Sequence, residues 1–328
     1  MLSLFLSQAA GLSAVIGSII VFRVNILYLI VAHRYPRQVA RLVARLHGPG
    51  VSFLLHVDRR ADIAPYRSAI RELAGSADLT FARRRMSAPW GSPGMTEAIL
   101  HGLEQILETR NVPDYIACIS GQDYPIRRPE RIREFFASAA GRPLIWCVPL
   151  EENPYWTDNQ FSRVMRYHYW HPWSRELRVY PPDEPPATVR SRMLHSLLRF
   201  VFPFPKPFPP GLKIYTGTSW WALTPDAARF LVEQARSQRR LCFFLKHSYV
   251  PEELVFHTLL ANSPLWKDRL DPRFVLYQRW STSKHPDTLT MRDREDIVKA
   301  AQTFPLARKF DASVDEAILD WIDQNLLS

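Results

Sequence analysis

Asn25-Ile-Leu-Tyr-Leu-Ile-Val-Ala32, followed after three residues by Pro36-Arg-Gln-Val-Ala-Arg-Leu-Val-Ala-Arg-Leu46, is the stretch whose reading decides the fold. The first segment is a nearly continuous apolar run, short enough for a strand buried on both faces. The second opens on proline and repeats apolar residues at Val39, Leu42, Val43 and Leu46, the spacing of a helix. Outward from this pair the alternation continues. Val51 to Val57 reads as a strand, Ile63 to Leu73 as a helix, Leu79 to Ala82 as a short strand and Met95 to Leu107 as a helix. Tyr115 to Ser120 reads as a strand, Pro129 to Ala139 as a helix and Pro143 to Val148 as a strand. Such alternation predicts an α/β fold, a parallel sheet with helices on both faces, and such sheets bind ligands at the carboxyl ends of their strands. His33, Asp58 and Asp123 end those strands, although each also has an ordinary structural role, and Asp123-Tyr-Pro makes a good turn.

The 328 residues suffice for one large α/β domain or two smaller ones, and a single domain over 23–328 is expected. A net charge of +10 calls for an anionic partner, whether nucleic acid, an acidic membrane surface or a phosphate-bearing substrate. Aromatic content of 12%, with 10 Trp, suits flat ligands such as sugars and bases. Cys118, Cys147 and Cys242 are odd in number and widely separated, which gives neither a disulfide framework nor zinc spacing and points to a reducing compartment. Met1 to Phe22 is uncharged and mostly apolar or small, roughly the length of a membrane span. Two readings of it stay open: an atypical anchor, or a non-native tail. Localisation is therefore expected in the cytoplasm or on the cytoplasmic side of a membrane, with peripheral association as an option.

The pattern breaks over 151–210, where a Trp/Tyr/Arg-rich stretch precedes proline-rich segments. An irregular acceptor-side insertion is expected there, with at most one helix near Val189 to Phe200. Regular structure resumes at Leu212 to Gly217 and at Ser219 to Thr224, where Trp220 and Trp221 alternate across a strand, one toward the core and the other toward a ligand. Pro225 to Gln234 reads as a helix. Pro251-Glu252-Glu253-Leu254-Val255 then reads as the first turn of a buried helix with two carboxylates at its N-terminus. The helix dipole alone accounts for acidic residues in that position, so their spacing does not by itself make them catalytic.

Several segments together resemble the family of branching β-1,6-N-acetylglucosaminyltransferases and peptide O-xylosyltransferases. They are Tyr28-Leu-Ile-Val-Ala-His33, His56-Val-Asp58-Arg-Arg, Trp90-Gly91, Ser120-Gly-Gln-Asp123-Tyr-Pro-Ile126, Gly217-Thr-Ser-Trp-Trp-Ala-Leu-Thr224, Pro251-Glu-Glu253-Leu-Val-Phe-His-Thr258 and Ala307-Arg308-Lys309-Phe310, in the family's order. The resemblance implies a GT-A-like, Rossmann-type nucleotide-binding sheet. It also implies inverting transfer of N-acetylglucosamine or xylose from a UDP-sugar donor to a hydroxyl of a glycan or peptide acceptor. Glu253 falls on the family's base, with Glu252 as the second choice and a possible substrate contact beside Trp220 and Trp221. His33, Asp58 and Asp123 fall to the nucleotide, and Lys309, adjoining Arg308, to the diphosphate. A further family arginine corresponds to Arg273 or Arg279.

Most enzymes of this fold hold the leaving diphosphate with a metal on Asp-x-Asp, a motif this chain lacks. Basic side chains are expected in its place, with no cofactor and no metal, and neither His257 nor His285 has a partner at zinc spacing. The competing class is a nonenzymatic basic protein that binds nucleic acid or acidic membrane, suggested by the charge and by Arg83-Arg84-Arg85. Against it, no helix-turn-helix, zinc-finger or RNP pattern is present, so no nucleic-acid partner is expected.

Overall fold

The apolar run at the start becomes β1 (Ile26–Ala32), in the middle of a five-stranded sheet, and α1 (Pro36–Leu46) follows it. The computed structural model describes residues 24–328 apart from 110, 156–159, 172–175, 183–188 and 282–284; the Met1 to Phe22 segment lies outside the described residues. β1 pairs in parallel with β2 (Val51–Val57) and β4 (Tyr115–Ser120), and β2 with β3 (Asp78–Phe81). Its residues alternate between two apolar layers, as strand geometry requires. Ile26, Tyr28, Ile30 and Ala32 enter one layer, Leu27 and Leu29 the other. Burial of each large aliphatic side chain contributes about 1.5–3 kcal/mol, so both faces must be covered by helices.

One layer is closed by α1, α2 (Ala64–Ala74) and α4 (Pro129–Ala137), the other by α3 (Gly94–Leu107). β5 (Asp123–Pro125) leaves the carboxyl end of β4, and β6 (Cys147–Pro149) is shorter than the expected strand, which survives beyond it only as bridges at Leu144. The middle of the chain holds α5 (Gln160–Met165), a hairpin of β7 (Tyr167–Trp170) and β8 (Leu177–Tyr180), and α6 (Val189–Val201). The expected helix near Val189 is present, but the stretch holds two helices where at most one was expected, and the hairpin is additional.

β9 (Tyr215–Gly217) pairs with β6, and β10 (Trp221–Leu223) adds antiparallel to β4 at the sheet edge. α7 (Pro225–Ser237) is capped by the Thr224 hydroxyl, and α8 (Arg239–Lys246) was not foreseen. Pro251–Glu253 forms a separate 3-10 turn, because Leu254 at φ −121° breaks the path before α9 (Val255–Ala261). β11 (Leu276–Gln278), α10 (Arg294–Ala300), β12 (Leu306–Arg308) and α11 (Ala317–Asn325) complete the chain. Among the described residues, no helix is long and apolar enough to cross a membrane.

Candidate active site

A small sheet in the order β11-β12-β5 joins the carboxyl end of the central sheet to the C-terminal part of the chain. Antiparallel pairing of β12 with β5 sets Arg308 opposite Asp123, and Arg308 Nε lies 3.5 Å from Asp123 Oδ1. The Asp123 carboxylate also accepts from the Ser120 backbone N–H at 2.6 Å and from its hydroxyl at 2.8 Å. Burial pushes the Asp123 carboxyl up and the Arg308 guanidinium down, and each opposes the other's neutralisation. The guanidinium lies over the Trp220 ring, 4.5 Å from its centroid, and feels the charge of Glu253 as well. Asp123 thus supports Arg308 and is itself fully buried.

Glu253 reaches the same corner from the 3-10 turn, with Ser219 Oγ donating to its Oε1 at 3.1 Å. The approach depends on Gly217, where an added Cβ would stand 2.0 Å from the Trp146 carbonyl oxygen and 2.4 Å from His257 Cδ2. Val250, just before the turn, has φ 52°, an unfavourable left-handed conformation for a β-branched residue. Glu252, beside Glu253, is buried, with Oε2 unpartnered. Burial and the neighbouring Glu253 charge push its carboxyl up to about 8. Glu252 therefore keeps its proton near neutral pH.

The other strand ends gather cations. Burial would raise the Asp58 carboxyl, but donors from Arg60 and the Ala88 backbone hold it below its ordinary value, with Arg60 Nη2 at 2.9 Å and Ala88 N at 2.9 Å. His33 is depressed by desolvation and then by Arg34, Arg60 and Lys309, with Asp58 opposing. Lys309 is likewise depressed by burial and by Arg308 and Arg34, with Asp311 opposing. The positive charges of Arg34, Arg308 and Lys309 thus disfavour one another and a proton on His33. Gln38 fixes the Lys309 loop against the central sheet: it donates to the carbonyls of Gly121 at 3.2 Å and Phe310 at 3.1 Å, and accepts from Ala312 N at 2.9 Å.

A model of the core-2/I-branching enzyme family matches residues 26–300, most of the chain. The chain belongs to the core-2/I-branching enzyme family. It is similar to a xylosyltransferase of Ciona intestinalis, 23% identical over 325 residues, which covers 92% of this chain and 34% of that protein. Xylosyltransferase 2 of Rattus norvegicus is 23% identical, with 92% and 34% covered, and xylosyltransferase oxt of Drosophila pseudoobscura pseudoobscura 24% identical, with 74% and 24% covered. The chain thus spans about a quarter to a third of the length of these curated relatives.

Within this family fold, Glu253, Trp220 and the Arg308–Lys309 pair come together from three segments, with His33 near both Lys309 and Asp58. Other residues stand elsewhere. Trp221 is in the core, edge-on to Phe256 at 5.3 Å, so of the two tryptophans only Trp220 is at the site. Arg273 is bound to Asp271, Nη2 to Oδ2 at 2.8 Å, beside Tyr115 at the start of β4. That is the opposite end of the sheet, roughly 16 Å from Ser120 by strand rise. Arg279 follows β11 but pairs with Asp287 and Asp293.

Sequence reasoning missed Ser219, whose hydroxyl orients Glu253, and an aromatic group next to it. Trp90 meets Tyr249 and His285 edge-on, both at 5.2 Å, and is 56% exposed, while Glu253 and Glu252 act on the Tyr249 hydroxyl. Gly91 at φ 76° was the available signal, since only glycine turns there without strain. Among the described residues, no group of three or more His, Cys, Asp and Glu is placed to hold a metal.

Proposed function

We propose that this chain is an inverting glycosyltransferase that uses a UDP-sugar donor without a metal. The observation that carries the reading is the meeting of Glu253 and Arg308 around Ser219 and Trp220, a carboxylate and a buried cation brought from distant parts of the chain. In this reaction the acceptor hydroxyl oxygen attacks the anomeric carbon and passes its proton to the Glu253 carboxylate. The bond from the anomeric carbon to the diphosphate oxygen breaks on the opposite face, and UDP leaves with the electron pair. Arg308 and Lys309 stabilise the growing negative charge, a role in which preorganised cations are worth several kcal/mol.

His33 and Asp58 border the nucleotide, and Trp220 separates base from cation. Trp90, Tyr249 and His285 give flat faces near Glu253, which suits a sugar or peptide acceptor. Xylose is favoured as the transferred sugar by the names of the relatives, with N-acetylglucosamine the alternative. The nucleic-acid alternative loses part of its motive: Arg83 pairs with Glu108, and Arg85 donates to the carbonyls of Val57, Asp58 and Ala61. Unpaired Cys118, Cys147 and Cys242 support a reducing compartment on the cytoplasmic side.

The test is a panel of UDP-sugars assayed for slow hydrolysis, with and without EDTA. One UDP-sugar should be consumed at a rate insensitive to chelator, and the product's anomeric configuration by NMR should be the inverse of the donor's. Activity lost to EDTA and restored by manganese would overturn the metal-independent reading.

A further inference from the structure

Helix α6 carries an apolar ridge that nothing described covers. Met193 and Leu197 are each 66% exposed and Phe200 is 90% exposed, and spacings of four and three put them on one line along the helix. The exposed Arg192 and Arg199, seven residues apart, share one flank of the ridge, while Leu198 on the far side is half-buried. The ridge is held in place rather than left loose. Phe202 packs edge-on against Tyr167 at 5.2 Å and Tyr180 at 6.2 Å, which fastens the end of α6 to the β7–β8 hairpin.

We propose that this face of α6 docks on an anionic lipid bilayer. A large apolar side chain left almost wholly exposed, aligned with others and edged by arginines, is the layout of an interfacial helix: the apolar line enters the acyl boundary and the guanidinium groups meet lipid phosphates. The net charge of +10 adds attraction to the same surface. A second copy of the chain is a poorer occupant. Three side chains do not supply the roughly 800 Å² per partner of a stable interface, and two such ridges would bring like charges together. The proposal is independent of the transferase reading, and its test contains no turnover measurement.

The experiment is flotation of the full-length protein with vesicles of phosphatidylcholine alone or mixed with phosphatidylglycerol. Phe200→Ser and the double variant Arg192→Glu/Arg199→Glu are compared, with circular dichroism confirming that both fold. The wild-type protein should float with the anionic vesicles and much less with the neutral ones. Phe200→Ser should reduce that binding about ten-fold. The arginine pair should reduce it at least twenty-fold, about five-fold for each arginine. Absence of wild-type binding, or equal binding of all three proteins, would overturn the assignment. So would a lipid-free change from dimer to monomer in Phe200→Ser, which would assign the ridge to self-association.

Discussion

At the strand ends, Asp58 and Asp123 are surrounded by donors: Asp58 takes Arg60 and the Ala88 backbone, and Asp123 takes Ser120 and Arg308. At the Pro251 turn, Glu252 is buried with one oxygen unpartnered, and its neighbour Glu253 accepts from the Ser219 hydroxyl. The first pair of carboxylates holds cations in place. In the second pair, burial keeps the proton on Glu252, while Glu253 is the carboxylate proposed above as the base. Acidic residues near a binding site are therefore not interchangeable; what each can do depends on its burial and on the groups around it.

Arg308 is the sharpest place to break this contrast. Arg308→Met removes the buried cation and strands Asp123, so turnover should fall about 10²–10³-fold, and stability by about 3–5 kcal/mol; steady-state kinetics and urea unfolding would show both. Trp90→Ala should act on the other side of the site alone. It should raise the acceptor KM about ten-fold, the equivalent of roughly 1.4 kcal/mol, and leave hydrolysis of the UDP-sugar unchanged. Gln38→Leu removes three hydrogen bonds without touching substrate, at a cost of about 2 kcal/mol. Its weaker UDP binding, read by calorimetry, should be relieved in part by Gln38→Glu, which retains the acceptor for Ala312.

The smallest effect is expected from Glu252→Gln, and it depends on pH. A carboxyl raised in the folded state, to about 8, binds a proton that the unfolded chain releases near its ordinary value, so the wild-type protein loses stability as pH rises between those limits. The glutamine variant should match the wild type in Tm near pH 4 and exceed it by a few degrees at pH 8. A constant difference across that range would show that Glu252 does not hold its proton.

The regular half of the molecule was legible because its signals are local. Val51 to Val57 and Tyr115 to Ser120 have the bounds read from their apolar runs, and strand ends follow at once. α8 escaped notice because Arg239-Arg240-Leu-Cys-Phe-Phe-Leu-Lys246 is short and has no side-chain cap. The turn at Pro251 was read as the start of a continuous helix, since nothing in the sequence announces the break at Leu254. Least legible were contacts made by pairing across the chain. The opposition of Arg308 to Asp123 follows from the β12–β5 register, and the convergence of Trp90, Tyr249 and His285 from three separate loops. Arg273 could not be told from Arg279 by its neighbours in sequence; Arg273 is held at the far end of the sheet, whereas Arg279 follows the β11 residue that pairs with Arg308 and is bound to Asp287, whose carbonyl accepts from Lys309 N.

The division between the two glutamates is tested most directly by comparing Glu253→Gln with the wild-type protein in two assays on the same preparation, sugar transfer and UDP binding by calorimetry. Transfer should fall at least 10³-fold, within the range of a lost general base, while the UDP affinity stays within about two-fold. Transfer that persists in Glu253→Gln and disappears in Glu252→Gln would contradict the assignment of the base.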